Sequence, residues 1–346
     1  MAGTAIGCAA DTAAMLMAVL TPLLAARSTP TVSLNNGIKM PVVIYGTGGA
    51  HTQDNVSGTV IATGLALSTA VGFAGIDGAN HYHNQIGVRD AITLSGTPRS
   101  RLWIQTKVEP CGHSAVRSGN CYVDTLAVFN QNLQQLNVEK LDLTLIHSPP
   151  CVPNSTWADP TCRWESQIYP SRCNCAAAEP CQMLQDQWRA LEEMYAAGKT
   201  SAIGVSNFCP ACLECLAKVS KTVPAVNQLQ FHAGVGSSDP RGLLSYCNRK
   251  GIVVQAYSPL GGEQAGTLLR APVAVQIGQA HNKSSAQVVL RWVLQLGHTL
   301  TAATAKEAHM LSDLDVFDWK LSDAEMAQIS ALDVAPDDPT KNMCLY

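Results

Sequence analysis

The sequence predicts an α/β protein with the (β/α)8 TIM-barrel architecture, and three observations support this fold class. Eight short apolar runs alternate along the chain with longer segments of helical periodicity. Polar residues follow several of these runs directly, as expected where the carboxyl ends of parallel strands meet at one mouth. The glycine-rich turn at residues 46–51 lacks the last glycine of a dinucleotide-binding fingerprint, which disfavours a doubly wound sheet.

The elements follow from the chain in order. Asn36 and Gly37 separate two short runs within residues 31–40, which predicts an N-terminal β-hairpin. The barrel strands are predicted at residues 42–45, 73–77, 102–107, 141–147, 202–205, 225–228, 252–257 and 299–304. Helical patterns between them include residues 122–136, 184–197 and 286–296. Strands interleaved with helices in this way favour a parallel barrel.

Composition excludes some function classes. The 346 residues are 47% hydrophobic and 14% charged, which is ample for a globular core. A net charge of -3 gives no sign of a nucleic-acid partner. The chain has no run of 18 apolar residues, so we expect no membrane span.

The N-terminal residues 1–29 are predicted to be a signal or targeting segment, followed by one barrel domain at residues 30–346. Residues 13–26 form an apolar stretch of signal-peptide length before the polar boundary that begins at Arg27. Asp11 and the lack of Lys or Arg before this stretch also allow a plastid transit peptide or an ordinary helix. The expected location is the secretory pathway or an organelle lumen, with plastid and cytoplasm as alternatives.

Thirteen cysteines are a high count. Cys8 lies in the leader, so an even twelve would remain without it, which favours disulfides. The twelve are Cys111, Cys121, Cys151, Cys162, Cys173, Cys175, Cys181, Cys209, Cys212, Cys215, Cys247 and Cys344. Five lie in residues 148–181, which we predict to be a long inserted loop after the fourth barrel strand. Glycosylation sequons at Asn55, Asn154 and Asn282 agree with an oxidising secretory route.

A metal site is the alternative use of the cysteines. Cys209, Cys212 and Cys215 follow a C-x-x-C-x-x-C pattern that a thiolate-bound zinc ion would accept. No histidine accompanies them at zinc-finger spacing. The pattern opens a helix-like stretch, so buried small apolar residues are the favoured interpretation and no metal site is predicted.

Four polar residues stand at or just past the ends of predicted strands: Asp77, Tyr82, Lys107 and His147. Together they would form a proton-donating site for a carbonyl oxygen. Tyr82 would be the acid, with its ordinary pKa of about 10 lowered by the ammonium group of Lys107, while Asp77 holds that group in place. A neutral His147 would donate a hydrogen bond to the substrate oxygen.

Six motifs occur in order along the chain: GFAGIDGANHYHNQIGVRDAI, WIQTK, LDLTLIHSP, AIGVSNF, PAVNQLQFH and QAYSPLG. This set resembles the aldo-keto reductase family, and the resemblance extends from about residue 32 to residue 333. It implies a (β/α)8 barrel that binds NADPH without a dinucleotide fingerprint and reduces aldehydes and ketones by hydride transfer. It also assigns Asp77, Tyr82, Lys107 and His147 to the catalytic tetrad of that family.

The same resemblance implies a set of cofactor-binding residues. Ser206, Asn207 and Gln228 match the positions that bind the nicotinamide carboxamide, and Tyr257 matches the aromatic residue that stacks on the nicotinamide ring. The positions beside the pyrophosphate match Ser258, Leu260 and Gly261. NADP(H) is therefore the expected cofactor.

The chain departs from the family pattern where the 2′-phosphate would bind. Many members have a lysine and an arginine there, and this chain has Ala303 and His309 instead. Thr304 keeps a hydroxyl group and Lys306 is a nearby cation, so we count Thr304, Lys306 and His309 among the cofactor-binding residues. NAD(H) remains an alternative cofactor because the charged phosphate clamp is altered.

Two further departures concern the substrate pocket. Gly48 stands where many relatives have a tryptophan, which predicts a roomier pocket. The loops at residues 109–122 and 148–181 are longer than usual, and we expect them to form a disulfide-pinned lid over the site.

The sequence thus predicts an NAD(P)H-dependent oxidoreductase that acts on a small-molecule carbonyl substrate. Two other classes stay open. One is a non-catalytic relative that binds a nicotinamide nucleotide as a sensor or subunit. The other is a secreted structural or redox-active protein whose cysteines carry the function.

Overall fold

A closed barrel of eight parallel strands dominates the fold. The computed structural model describes residues 29–49, 51–112, 119–150, 175, 178–235, 239, 242–262 and 265–332. The first two strands, β1 (Thr31–Ser33) and β2 (Lys39–Pro41), pair antiparallel around Asn36 and Gly37, which confirms the predicted hairpin. The barrel strands are β3 (Val43–Gly46), β4 (Gly75–Asp77), β5 (Trp103–Val108), β6 (Leu143–Ile146), β7 (Ile203–Ser206), β8 (Val226–Gln230), β9 (Val253–Tyr257) and β10 (Thr299–Ala302). They close in chain order, with β10 beside β3, and confirm the predicted (β/α)8 barrel.

Helices connect the strands. They are α1 (Val56–Leu67), α2 (Gln85–Ser95), α3 (Cys121–Leu136), α4 (Ala178–Ala196), α5 (Pro210–Ala217), α6 (Leu243–Arg249), α7 (Ala265–Leu269), α8 (Pro272–Ala280), α9 (Ser285–Gln295), α10 (Glu307–Leu314) and α11 (Asp323–Ser330). Short 3-10 turns cover Asn80–Tyr82 and Arg99–Arg101. The start of α9 is fixed by a capping box, in which Ser284 and Gln287 each bind the other's backbone N–H group.

Most predicted boundaries lie within two residues of the observed ones, and the largest difference is at the start of α4. Helix α4 begins at Ala178 rather than residue 184, because Pro180 is tolerated in a first helical turn, where its missing N–H group costs little. Strand β10 ends at Ala302 rather than at residue 304. Past this point the Tyr45 hydroxyl donates to the Thr304 carbonyl oxygen at 2.9 Å, which holds the chain as a loop.

The core has two parts. One cluster fills the barrel interior near its amino end with strand residues such as Ile44 and Leu145, and the hairpin adds Leu34 and Met40 to this cluster. Asn36 in the hairpin turn also donates to the Ser201 carbonyl oxygen just before β7. The hairpin therefore closes the amino end of the barrel and leaves the carboxyl end for a site. The larger cluster packs the strands against the helices.

Six of the described cysteines lie in three close pairs in the loops and helices around the barrel. The Cα atoms of Cys175 and Cys212 are 4.9 Å apart and those of Cys181 and Cys215 are 5.7 Å apart, so both pairs join the α4 side to α5. A further pair, Cys111 with Cys121, has a Cα separation of 5.5 Å. All three separations suit disulfides. Residues 1–28 and most of the predicted insertion at 148–181 lie outside the described residues.

Among the helices that the structure describes, none is long and apolar enough to cross a bilayer. Within the described ranges, no group of three or more His, Cys, Asp or Glu side chains is arranged to hold a metal ion.

Candidate active site

The four residues of the predicted tetrad come together at the carboxyl end of the barrel. Asp77 is the last residue of β4, Lys107 lies near the end of β5, and His147 directly follows β6. Tyr82 ends the 3-10 turn that follows β4. The Lys107 Nζ atom lies 2.6 Å from Asp77 Oδ1 and 5.2 Å from the centre of the Tyr82 ring. The Tyr82 and His147 rings meet edge to face with their centres 5.6 Å apart.

The lysine–aspartate pair is deeply buried. Lys107 is 1% exposed and Asp77 is 3% exposed. Besides the carboxylate, Lys107 Nζ donates to the Gly78 carbonyl oxygen at 2.9 Å. Burial lowers the pKa of Lys107, whereas the charge and hydrogen bond of Asp77 raise it. The pKa of Lys107 is lowered overall, because the loss of solvent outweighs the stabilisation of the ammonium group by Asp77.

The expected effect of this pair on Tyr82 was wrong in sign. Burial raises the pKa of the Tyr82 phenol above its ordinary value, and the negative charge of Asp77 raises it further. The positive charge of Lys107 is partly balanced by its ion pair with Asp77, so it does not outweigh the loss of solvent around the phenol. Tyr82 is consequently protonated throughout the neutral range.

A network of buried amides supports the turn that carries Tyr82. Asn80, in the same turn, donates to Asn132 Oδ1 on α3 at 3.0 Å. Asn132 in turn donates to the Lys107 carbonyl oxygen at 3.2 Å. Gln85 joins Asn132 to Thr106 on β5 through bonds of 2.8 and 2.7 Å. The turn of Tyr82 and the strand of Lys107 are thereby tied to the same helix residue.

Gly48 lies against the phenol ring. A β-carbon built at this position would come within 2.7 Å of Tyr82 Cζ and 2.9 Å of its hydroxyl oxygen. The space that a side chain would need at position 48 is thus filled by Tyr82. The glycine allows close contact between the ring and the β3 loop, which the predicted roomier pocket did not anticipate.

The residues expected to hold a nicotinamide carboxamide also form one cluster. Asn207 Nδ2 donates to the His147 carbonyl oxygen at 3.0 Å, and Asn207 Oδ1 accepts from the Tyr257 hydroxyl at 2.9 Å. The Ser206 hydroxyl donates to the Gln228 carbonyl oxygen at 2.9 Å. The structure therefore brings together Ser206, Asn207, Gln228 and Tyr257 beside His147.

Strained backbone marks the same edge of the barrel. Asn207, directly after β7, has a φ of 64°, and Ser258, directly after β9, has a φ of 49°. Residues other than glycine enter this region at a cost of order 1–3 kcal/mol, and they do so in turns, at helix ends and at functional sites. From Ser258 the chain turns through half-buried Leu260 to Gly261, whose N–H group donates to the Ser258 carbonyl oxygen at 2.9 Å. The predicted pyrophosphate loop is thus a tight turn at the mouth.

The residues expected to bind the 2′-phosphate are more exposed to solvent than the tetrad. Thr304 lies in the loop after β10, and its hydroxyl accepts from the Lys306 N–H group at 3.2 Å. Lys306 is the N-cap of α10, and His309 lies in the first turn of that helix. The side chains of Lys306 and His309 are exposed. The start of α10 is a polar surface next to the mouth rather than a closed pocket.

Sequence reasoning missed a layer of glutamines beneath these groups. Gln105 on β5 and Gln255 on β9 both lie within runs that we interpreted as apolar strands. Their side chains meet across the barrel interior, where Gln105 Nε2 lies 2.7 Å from Gln255 Oε1. The period-2 pattern marks these positions only as inward-facing, so the pairing needed the closed barrel to become visible.

Comparison with known proteins places this geometry among related enzymes. Residues 42–334 match the family model described as "Aldo/keto reductase family". A glyoxal reductase of Bacillus subtilis is 35% identical over 302 residues, which cover 87% of this chain and 92% of the relative. A morphine 6-dehydrogenase of Pseudomonas putida is 31% identical, covering 90% of this chain and 95% of the relative.

Solved structures of related proteins agree with these sequence comparisons. The crystal structure of an aldo/keto reductase from Brucella melitensis superposes with a TM-score of 0.70 at 29% identity, and the match covers 88% of this chain and 99% of that one. An aldo-keto reductase from a deep-sea metagenome gives a TM-score of 0.69 at 27% identity, covering 87% of this chain and 94% of that one. Both relatives are called aldo-keto reductases, as the order of motifs predicted.

Proposed function

The chain belongs to the aldo-keto reductase family of oxidoreductases, which act on small carbonyl compounds with nicotinamide cofactors, and from this premise we propose that it reduces an aldehyde or ketone to an alcohol with Tyr82 as the proton donor. One observation carries the proposal. A protonated phenol lies 5.2 Å (ring centre to Nζ) from a buried ammonium group and edge to face with an imidazole, at the carboxyl end of the barrel.

The raised pKa keeps Tyr82 protonated at neutral pH, although it also makes the phenol a weaker acid. A phenol that stays protonated at neutral pH always has its proton to give, and an alkoxide is a stronger base than a phenolate, so the transfer runs downhill. The phenolate that forms is stabilised by the ammonium group of Lys107, which water does not screen because Lys107 is 1% exposed. Asp77 keeps that group charged and in place.

His147 supports the same oxygen from a second side. Its ring is 4% exposed and meets the edge of Tyr82, so a carbonyl oxygen that reaches the phenol also reaches the imidazole. A hydrogen bond from the imidazole polarises the carbonyl group and limits its orientation. Tyr82 therefore moves the proton and His147 orients the acceptor.

The residues at the mouth fit a nicotinamide. A primary carboxamide needs both donors and acceptors, and Asn207 and Gln228 each carry an amide, with the hydroxyl of Ser206 beside them. Tyr257 supplies an aromatic face and is anchored to Asn207 at 2.9 Å. Bound there in reduced form, the nicotinamide would supply the hydride for the carbonyl carbon.

The cofactor form depends on the start of α10. Thr304, Lys306 and His309 would contact a 2′-phosphate, with Lys306 as the formal cation and the helix N-terminus adding partial positive charge. These side chains lie near the surface, so their attraction to a phosphate is weakened by solvent. We propose NADP(H) as the cofactor, with a smaller preference over NAD(H) than a buried arginine clamp would give.

Nucleotide titration and aldehyde turnover together test the proposal. The purified protein is titrated with NADPH and NADH by nucleotide fluorescence, then assayed for nucleotide oxidation with a generic aldehyde and with glyoxal, the compound in the name of the Bacillus relative. We expect binding of NADPH tighter than NADH, and oxidation only when aldehyde is added. Binding without any turnover would favour a sensor, and the absence of binding would reject the proposal.

The cysteine pairs support a second, separate proposal. We propose that Cys111–Cys121, Cys175–Cys212 and Cys181–Cys215 are disulfides and that the protein folds in an oxidising compartment of the secretory route. Thiol titration of the denatured protein should then release at least six additional thiols after reduction. The same number of reactive thiols with and without reductant would contradict it.

A further inference from the structure

Three buried glutamines form one chain of hydrogen bonds across the barrel. Gln228 Nε2 donates to Gln255 Oε1 at 2.7 Å, and the same oxygen accepts from Gln105 Nε2 at 2.7 Å. Gln105 Nε2 also donates to Asp77 Oδ1 at 2.8 Å. Gln105, Gln228 and Gln255 are each at most 2% exposed. We call these three residues the glutamine chain.

The orientation of the glutamine chain follows from its neighbours. The Trp103 Nε1 atom lies 3.1 Å from Gln105 Oε1, and an indole N–H group can only donate. The oxygen of Gln105 must therefore face Trp103, and its NH2 group must face the Asp77 carboxylate, which accepts only. With Gln105 fixed in this way, the oxygen of Gln255 must face the Gln105 donor. Reversing Gln105 or Gln255 would place like groups against each other.

Each end of the glutamine chain meets a different part of the site. At one end, Asp77 Oδ1 accepts from both Gln105 Nε2 and Lys107 Nζ, at 2.8 and 2.6 Å. At the other end is Gln228, whose backbone carbonyl oxygen accepts from the Ser206 hydroxyl and from the Asn207 backbone N–H group. The strands of Gln105 and Gln255, β5 and β9, are four apart in the closed order of eight. The chain therefore spans the barrel and joins two groups that the backbone keeps apart.

We propose that Gln105 and Gln255 are positioning residues for carbonyl reduction, holding the Asp77–Lys107 pair beneath the proton donor and the Gln228 amide beneath the nicotinamide as one hydrogen-bonded unit. The inference rests on the proposed function, since it gives Gln228 and Asp77 their roles. Both glutamines are at most 1% exposed, so each would act through the residue that it holds rather than by contact with substrate or cofactor.

The energetic basis is the burial of Asp77. Its Oδ1 atom accepts from two donors. Hydrogen bonds to charged groups contribute more free energy than hydrogen bonds between neutral groups. Without the Gln105 amide, this carboxylate oxygen depends on Lys107 alone. The Asp77–Lys107 pair is then held less firmly beside the Tyr82 ring, with the Gly78 carbonyl oxygen as the other partner of the ammonium group. The loss of one charge-assisted bond corresponds to about a ten- to hundredfold loss of rate if it is felt fully in the transition state.

The test compares Gln105→Met and Gln255→Met with a matched control, Gln187→Met. Gln187 is also fully buried and makes three hydrogen bonds, to the Glu109 carbonyl oxygen, Thr125 and the Cys111 N–H group, but it lies on α4 outside the barrel. All three variants remove a buried amide and keep the side-chain volume. A general loss of stability should therefore affect them alike.

We expect kcat to fall about ten- to a hundredfold in Gln105→Met and in Gln255→Met, with the aldehyde KM within about twofold of wild type. In Gln255→Met the nucleotide should also bind more weakly, since Gln228 loses its acceptor. Gln187→Met should keep kcat within about twofold. The double variant Gln105→Met/Gln255→Met should lose little more than the larger single loss, because both changes break one chain.

Two results would overturn the inference. One is a kcat for Gln105→Met no lower than that of Gln187→Met, and the other is a double variant whose loss equals the product of the single losses. If Gln105→Met does not fold, Gln255→Met gives the same comparison. The proposed function is tested separately. A wild-type protein without aldehyde turnover would reject the proposed function and the role of the glutamines together. An active wild type, an inactive Tyr82→Phe variant and an unaffected Gln105→Met variant would reject only the role of the glutamines.

Discussion

The two sides of the barrel mouth hold their polar groups in different ways. On the proton-donor side, formed by Asp77, Tyr82, Lys107 and His147, Lys107 and Asp77 are almost fully buried and share a bond of 2.6 Å. On the phosphate side, formed by Thr304, Lys306 and His309, the two charged or titratable side chains are exposed at the start of α10. Buried groups keep their geometry without water, so we expect the proposed proton-donor side to be preorganised and the proposed phosphate side to adjust to its ligand.

The largest effect should come from breaking the buried pair with Lys107→Met. The variant leaves Asp77 buried without its main partner and removes the charge that stabilises the Tyr82 phenolate. We expect kcat to fall about a thousandfold and the free energy of unfolding to fall by about 3–5 kcal/mol. Aldehyde turnover and urea denaturation measure the two losses.

A double variant separates the loss of turnover from the loss of stability. Asp77→Asn/Lys107→Met removes both charges, so most of the lost stability should return while turnover stays low. A double variant that regains turnover would contradict the role given to Lys107.

The next effect should come from Gly48→Ala. The new β-carbon would lie 2.7 Å from Tyr82 Cζ, so the ring must move from its place beside His147 and Lys107. We expect kcat to fall about ten- to a hundredfold with a smaller change in nucleotide affinity. Gly49→Ala is the matched control, because the nearest atom to a β-carbon there is the Ala303 methyl carbon at 3.3 Å. Equal losses in the two variants would show that Tyr82 does not depend on Gly48.

On the phosphate side, Lys306→Met should have a smaller effect. The side chain is exposed, so we expect the affinity for NADPH to fall about two- to fivefold and the affinity for NADH to stay unchanged. Fluorescence titration measures both, and Lys320→Met, an exposed lysine after α10, serves as the control. A loss of more than about a hundredfold would mean that Lys306 closes over the phosphate as a buried clamp.

The smallest effect on turnover is expected from Asp313→Asn, in the helix that supports the phosphate side. Burial raises the pKa of Asp313 from 3.8 to about 7. The folded protein thus keeps a proton that the unfolded chain has lost, so the free energy of unfolding decreases as the pH rises from about 4 to about 7 and is level above that.

Asp313→Asn should remove this dependence because its amide stays neutral. A shift of about three pKa units corresponds to roughly 4 kcal/mol, so the variant should be more stable at pH 8 and similar to wild type at pH 4. Urea denaturation at both pH values measures the difference, with the exposed Asp318→Asn as the control. A variant no more stable than wild type at pH 8 would show that Asp313 is solvated.

The sequence predicted the barrel and the meeting of the four tetrad residues because both follow from local patterns. Apolar runs become strands, and residues at the carboxyl ends of parallel strands share one mouth. The sign of the pKa shift of Tyr82 was wrong because burial cannot be read from the chain. The predicted Lys107–Asp77 pair is present, but the loss of solvent around Tyr82 outweighs the positive charge of Lys107.

The glutamine chain and the cysteine pairs needed the fold itself. Gln105 and Gln255 are 150 residues apart, and their contact exists only across a closed barrel. An even number of cysteines suggested disulfides, but the partners of Cys181 and Cys212 depend on how α5 packs beside α4. The lid predicted at residues 109–122 and 148–181 falls largely outside the described residues and stays a prediction.

The most direct test of the account is Tyr82→Phe, assayed for nucleotide binding and for aldehyde turnover in the same preparation. The change removes one hydroxyl group and keeps the ring against Gly48 and His147. We expect NADPH affinity within about threefold of wild type and a loss of turnover of about a thousandfold or more. Turnover that remains within tenfold of wild type would show that another group donates the proton.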